Sequence, residues 1–171
     1  MVTFVFQPIN LPVHSALCIK FRLDSYKCSF VDGQERFESS NGKDGKDYIE
    51  WLQQRILELP LGCVHVWEGT EIIGQIESRL RNDGSGYVNL FYLTPEHRGF
   101  GKGRQLHDYT LNMFADMGVR VVRLTVSTQN SRALGFYQKL GWRNLGLRPG
   151  EEDSLLFEYA ISGTQDREAR V

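Results

Sequence analysis

The segment Arg98-Gly99-Phe100-Gly101-Lys102-Gly103-Arg104 gathers the residue types best suited to holding an anion. Glycines at alternate positions let the backbone turn tightly and leave its N–H groups uncovered. The segment lies between an apolar strand pattern and an amphipathic helix pattern. Those N–H groups therefore cluster at a helix N-terminus, where the dipole adds partial positive charge. Arg98, Lys102 and Arg104 add counter-charge. A phosphate or pyrophosphate fits such a turn. The dinucleotide fingerprint G-x-G-x-x-G fails because Gly103 falls one residue too early, and the P-loop fails because no Ser or Thr follows Gly101-Lys102.

The spacing that does fit is R/Q-x-x-G-x-G/A, met by Arg98, Gly101 and Gly103. It resembles the acetyl-CoA pyrophosphate loop of the GNAT acetyltransferase superfamily. The flanks extend the resemblance. Phe91-Tyr92-Leu93-Thr94-Pro95 has the form of the apolar strand and Pro turn that precede that loop. Downstream, an apolar strand over 121–126 leads to Asn130, then to a short helix with the aromatic pair Phe136-Tyr137, ending in Gly141-Trp142. The resemblance covers residues 71–142 well and the N-terminal helices only in outline.

What the resemblance implies is an α/β GNAT fold, a central, mixed, mostly antiparallel sheet flanked by helices with one splayed parallel strand pair. Acetyl-CoA, the implied cosubstrate, would lie in that splay. Its pantetheine arm would run along Phe91, Tyr92 and Leu93, and its pyrophosphate over Arg98, Gly99, Phe100, Gly101, Lys102, Gly103 and Arg104. Asn130 matches a position that contacts the cofactor through its amide. Tyr137 matches the usual general acid, which protonates the departing CoA thiolate; without the motif, sharing a face with Ala133 and Leu140, it reads as a core aromatic. The implied reaction is direct acetyl transfer, in a ternary complex, to a primary amine of a small molecule or peptide. A non-catalytic acyl-CoA-binding sensor or docking module of the same fold is the alternative.

An ammonium must lose a proton before it attacks, which makes a carboxylate the expected base. The ribosomal-protein N-terminal acetyltransferases carry a Glu where this chain has Thr125, and histone-type members carry one where it has Tyr87. Glu77 is the remaining candidate. Strand alternation places Gln75, Glu77 and Arg79 opposite Ile72, Ile76 and Leu80. The same pattern fits a solvated strand face or a Glu77–Arg79 pair, and ordered water can replace a base.

Other reactive side chains carry less. His14 and Cys18 stand four apart on a helical pattern without a third ligand, so no metal site is expected. His97 and His107 read as structural or exposed, and Cys63 as a buried strand residue. Trp51 and Trp67 read as core.

The elements that must position these groups follow from periodicity. An apolar strand opens the chain, Leu11-Pro12 breaks it, and residues 13–30 read as a helix. Residues 32–47 are polar and Gly-containing and read as a loop; the resemblance implies that this region borders the acceptor groove, while its mixed charges equally fit a solvated loop. Residues 48–59 read as a second helix ending before Pro60. Strands over 62–67, 71–80 and 87–93 form a meander, and strands over 142–147 and 155–161 close the sheet. A single domain is expected over 1–161, with a polar tail at 162–171.

Twenty Lys+Arg against 21 Asp+Glu leave no positive surplus for nucleic acid. No apolar run is long enough to span a membrane. The apolar start lacks the basic residues of a signal peptide. Three cysteines without a C-x-x-C pair point to a reducing cytoplasm. A homodimer is compatible with the resemblance.

Overall fold

The computed structural model describes residues 2–163. A seven-stranded sheet runs in the order β1-β2-β3-β4-β5-β7-β6. The strands are β1 (Val5–Pro8), β2 (Cys63–Glu68), β3 (Glu71–Leu80), β4 (Gly86–Leu93), β5 (Val121–Ser127), β6 (Arg143–Leu147) and β7 (Ser154–Ala160). Every neighbouring pair is antiparallel except β4 and β5, which are parallel. The helices are α1 (Leu11–Ser29), α2 (Gly33–Asn41), α3 (Lys46–Glu58), α4 (Lys102–Asp116) and α5 (Ser131–Lys139). This is the mixed α/β fold that the sequence implies; of the expected 162–171 tail, residues 164–171 lie outside the described residues.

Two local expectations are corrected. Pro12 does not interrupt the chain but sits in the first turn of α1, where its missing N–H would have had no partner. The segment 32–47 is not one loop, because it contains α2. That helix offers the core only one large apolar side chain, Phe37, which meets the Tyr26 ring edge-on at 5.8 Å. Gly33 lets α2 approach this closely, since a Cβ there would fall 2.4 Å from the Tyr26 carbonyl oxygen. With a single aromatic anchor, α2 has almost no apolar period to read.

Both faces of the sheet are covered. Val64, Val66 and Ile76 pack with Leu106 of α4. Phe21 of α1 packs on Leu90 and Tyr92. Strand alternation is broken at two bulges. One makes Ile73 an extra residue between the pairs Trp67–Ile72 and Val66–Gly74, and Ile72 joins Phe21 and Tyr92 instead of Ile76. The second makes Asn89 extra in β4, between the pairs Glu77–Leu90 and Ser78–Val88.

That second bulge shapes the site. Parallel pairing between β4 and β5 is confined to Gly86–Val122, Tyr87–Arg123 and Val88–Leu124. Asn89 follows the last of these pairs directly, and a bulge bends its strand and increases the local twist. Beyond Val88 the two strands part.

Candidate active site

The parting of β4 and β5 opens a cleft of about 760 Å³ between the N-termini of α4 and α5. Its walls include Phe91, Tyr92 and Leu93 from β4, Gly99, Gly101 and Gly103 from the glycine loop, and Asn130 and Tyr137 from α5 and its start. Arg98 also lines it. Phe100, Lys102, Arg104 and Glu77 are not among the lining residues; Phe100 is 76% exposed and Arg104 points outward.

The glycine loop is built by backbone geometry. A one-turn 3-10 helix, Pro95–His97, ends β4, and Gly99 and Gly101 then take φ of 88° and 73°. These values lie in the left-handed region, where a side chain is strained. Gly101 is the N-cap of α4, and no side chain caps the helix. The Arg104 N–H bonds the Gly101 carbonyl at 3.1 Å, and the N–H groups of Lys102 and Gly103 are left for an external acceptor. Gly103 lets Phe136 lie against this turn, as a Cβ there would be 3.1 Å from the ring.

The cations of the loop are otherwise engaged. Arg98 donates to Asp24 Oδ2 at 2.6 Å, to the Leu93 carbonyl at 2.8 Å and to Cys28 Sγ at 3.3 Å, bracing the end of β4 against α1. Lys102 donates to both oxygens of Glu68, at 2.9 and 3.2 Å, and holds that carboxyl below its usual range. The motif spacing points to Arg98, Lys102 and Arg104 for counter-charge and misses Arg132 and Lys139, which line the cleft from α5. A basic residue in the helical turn directly after Asn130 is the signal that could have found Arg132.

Asn130 caps α5, its Oδ1 accepting from the Ala133 N–H at 3.1 Å while Nδ2 donates to Ser29 Oγ at 3.4 Å. The α1–α2 turn is tied down beside it, with the Val31 N–H donating to Gln129 Oε1 at 3.0 Å. Tyr137, 8% exposed, stands among Phe91, Phe136, Trp142 and Phe157, with ring centroids 5.1–6.3 Å away. Burial pushes its phenol pKa well up.

Glu77 occupies a different environment, completely buried beneath α1 and α3. Its Oε1 accepts from the Tyr48 hydroxyl and from Gln75 Nε2 at 2.8 Å, and its Oε2 accepts from Arg22 at 3.1 Å. Because the Gln75 amide N–H groups also reach Tyr48, its Oε1 faces His65, which donates through Nε2 at 3.0 Å. Every donor in the chain His65–Gln75–Tyr48 thus points toward the carboxylate. Neither the solvated face nor the Glu77–Arg79 pair is realised: Arg79 lies over the Tyr87 ring at 5.3 Å.

These features, an uncapped helix start beside a splayed parallel pair, are matched at the level of sequence. Residues 26–142 match the Acetyltransferase (GNAT) family. The chain belongs to this family. A curated relative, the mycothiol acetyltransferase of Geodermatophilus obscurus, is 28% identical over 131 residues, 71% of this chain and 42% of that protein. The mycothiol acetyltransferase of Catenulispora acidiphila is 28% identical over 123 residues, 67% of this chain and 39% of that one. The chain thus spans about two fifths of the length of these relatives. The PaiA N-acetyltransferase of Thermoplasma acidophilum, solved with coenzyme A, shares the fold with a TM-score of 0.72 at 18% identity, covering 93% of this chain and 99% of that one.

The remaining candidates of this GNAT chain lie away from the cleft. Cys18 and His65 are in contact at 3.5 Å, and the His14 and His65 ring centroids are 5.3 Å apart. No set of three metal-ligating side chains forms among the described residues. Burial pushes the Cys18 and Cys63 thiols up to about 12. No described helix is long and apolar enough to cross a membrane.

Proposed function

We propose that this GNAT protein moves an acetyl group from acetyl-CoA to a primary amine of a small molecule or peptide, by direct transfer in a ternary complex. The observation that carries the reading is the parting of β4 from β5 beyond Val88 and Leu124, with Tyr137 lining the opening. Acetyl-CoA fits the residues present. Phe91 to Leu93 pair with β3 but have no strand partner on the β5 side, where an amide-bearing arm can bond their backbone, and the uncapped start of α4 suits its phosphates. When bound, it supplies an activated acetyl thioester.

The chain's own groups then have defined tasks. The N–H groups from Gly99 to Gly103 hold the pyrophosphate, and Arg132 and Lys139 add positive charge at the cleft wall. Tyr137 stays protonated throughout the neutral range and donates its proton to the departing sulfur. A raised phenol pKa weakens the acid, but the apolar surroundings that raise it also raise the proton affinity of a thiolate placed beside it. Cys18 and Cys63 are buried thiols held far above neutral pH, which disfavours a covalent acetyl-cysteine route through them. All three cysteines are free, in keeping with a reducing cytoplasmic setting.

The saturation of Glu77 by its own neighbours favours a second reading, in which the cleft binds acyl-CoA without turning it over. Thiol release from acetyl-CoA, followed with amino acids, short peptides, aminoglycosides and polyamines, separates the two. Release with one amine class is the expected result. Tight acetyl-CoA binding without release from any amine would favour the binding module.

A further inference from the structure

We infer that the acceptor is a weakly basic amine, of the α-amino kind with a pKa near or below 8, and not a lysine-like amine or polyamine. The inference rests on the acetyltransferase reading and names the substrate class for that site. An attacking amine must be neutral. At pH 7 about one tenth of an α-amino group is neutral, against about one part in two thousand of a lysine-like amine. A lysine-like acceptor therefore needs a base at the site, whereas an α-amino acceptor does not.

The described cleft supplies no such base. Its charged lining groups are Arg98, Arg132 and Lys139, all cationic, and no carboxylate lines it. Three nearby carboxylates, Glu77, Asp24 and Asp153, are each held by an arginine. Glu77 is bound by Arg22, with Tyr48 and Gln75 filling its other oxygen. Asp24 takes Arg98 at 2.6 Å and the Tyr92 hydroxyl at 2.7 Å on the same Oδ2. Asp153, next to the β5–α5 turn, takes Arg36 at 2.6 Å. The other titratable lining groups are Tyr92, Tyr137 and Cys28. The two phenols hold their protons in the neutral range, and Cys28 Sγ accepts from Arg98.

The test uses the wild-type protein at saturating acetyl-CoA and a series of primary amines of similar size with pKa from about 7.5 to about 10.5. For each amine, kcat/KM is measured between pH 6 and pH 9.5. The expected result is a rise with pH whose midpoint follows the pKa of each amine. At pH 7 the weakest bases should lead the strongest by roughly 700- to 800-fold, set by their neutral fractions.

A single midpoint shared by all amines would overturn the inference, as would preference for the lysine-like amine at pH 7. Loss of such a shared midpoint in Glu77→Gln would assign it to Glu77. Acetyl-CoA binding without thiol release from any amine would instead remove the transferase reading, and the inference with it.

Discussion

Arg98 Nη2 lies 2.6 Å from Asp24 Oδ2, so the first residue of the glycine-loop motif spends its charge on α1. Its Nε holds the Leu93 carbonyl at 2.8 Å, at the point where β4 ends. The arginine thereby fixes the loop between strand and helix. In the proposed function, the phosphates are then left to the backbone of the loop and to Arg132 and Lys139 on α5.

This division predicts unequal effects of removing cations. Arg132→Ala should weaken acetyl-CoA binding by about tenfold, or ~1.4 kcal/mol, while Arg104→Ala should change it less than about twofold. Titration calorimetry of both variants at low and high salt checks this, and the Arg132 effect should shrink as salt screens it. Equal losses in the two variants would contradict the arrangement.

Glu77→Ala should be strongly destabilising. It leaves Arg22, ringed by Tyr26, Tyr48 and Trp51, without its carboxylate, and removes the acceptor toward which Tyr48 and Gln75 point. Breaking a buried pair by deleting one member costs about 3–5 kcal/mol. Urea unfolding of wild type and variant measures it. A cost below about 1 kcal/mol, typical of exposed pairs, would contradict the burial of this network.

His65 predicts a pH dependence of stability. Burial lowers its pKa from 6.5 to about 4, with the Gln75 hydrogen bond opposing the shift. Between these values the unfolded chain binds a proton that the folded chain does not. Stability therefore rises with pH from about 4 to about 6.5 and is level above, with a contribution of up to ~3 kcal/mol. Unfolding of wild type and His65→Gln across pH 4–8 isolates it, and the difference between them should narrow toward low pH. A difference independent of pH would contradict the assignment.

Much of the site is legible in the amino-acid sequence. The motif Arg98-x-x-Gly101-x-Gly103 and the stretch from Asn130 to Trp142 are local, and local spacing locates a turn, a cap and a helix face directly. Tyr137, Asn130 and the three glycines consequently all reach one cleft. Long-range partners are not legible in this way. Nothing in the spacing of Glu77 indicates that Arg22, 55 residues earlier, and Tyr48, 29 residues earlier, converge on it. Nor does the motif reveal that Arg98 reaches Asp24, 74 residues away. The helix α2 is hidden for a different reason, since Phe37 alone cannot make a period. Alternation misplaces Ile72 because one extra residue, Ile73, reverses which face a strand presents.

The central claim is that the cleft performs acetyl transfer with Tyr137 as the proton donor. The most direct measurement is CoA thiol release by wild type and Tyr137→Phe, side by side, with the amine that wild type uses best and with acetyl-CoA affinity determined for both. The expected result is a kcat about 10²–10⁴-fold lower in the variant, the range for loss of a general acid, with acetyl-CoA binding little changed. Equal kcat in the two proteins would contradict the role of Tyr137. Binding without release from any amine by wild type would contradict acetyl transfer itself.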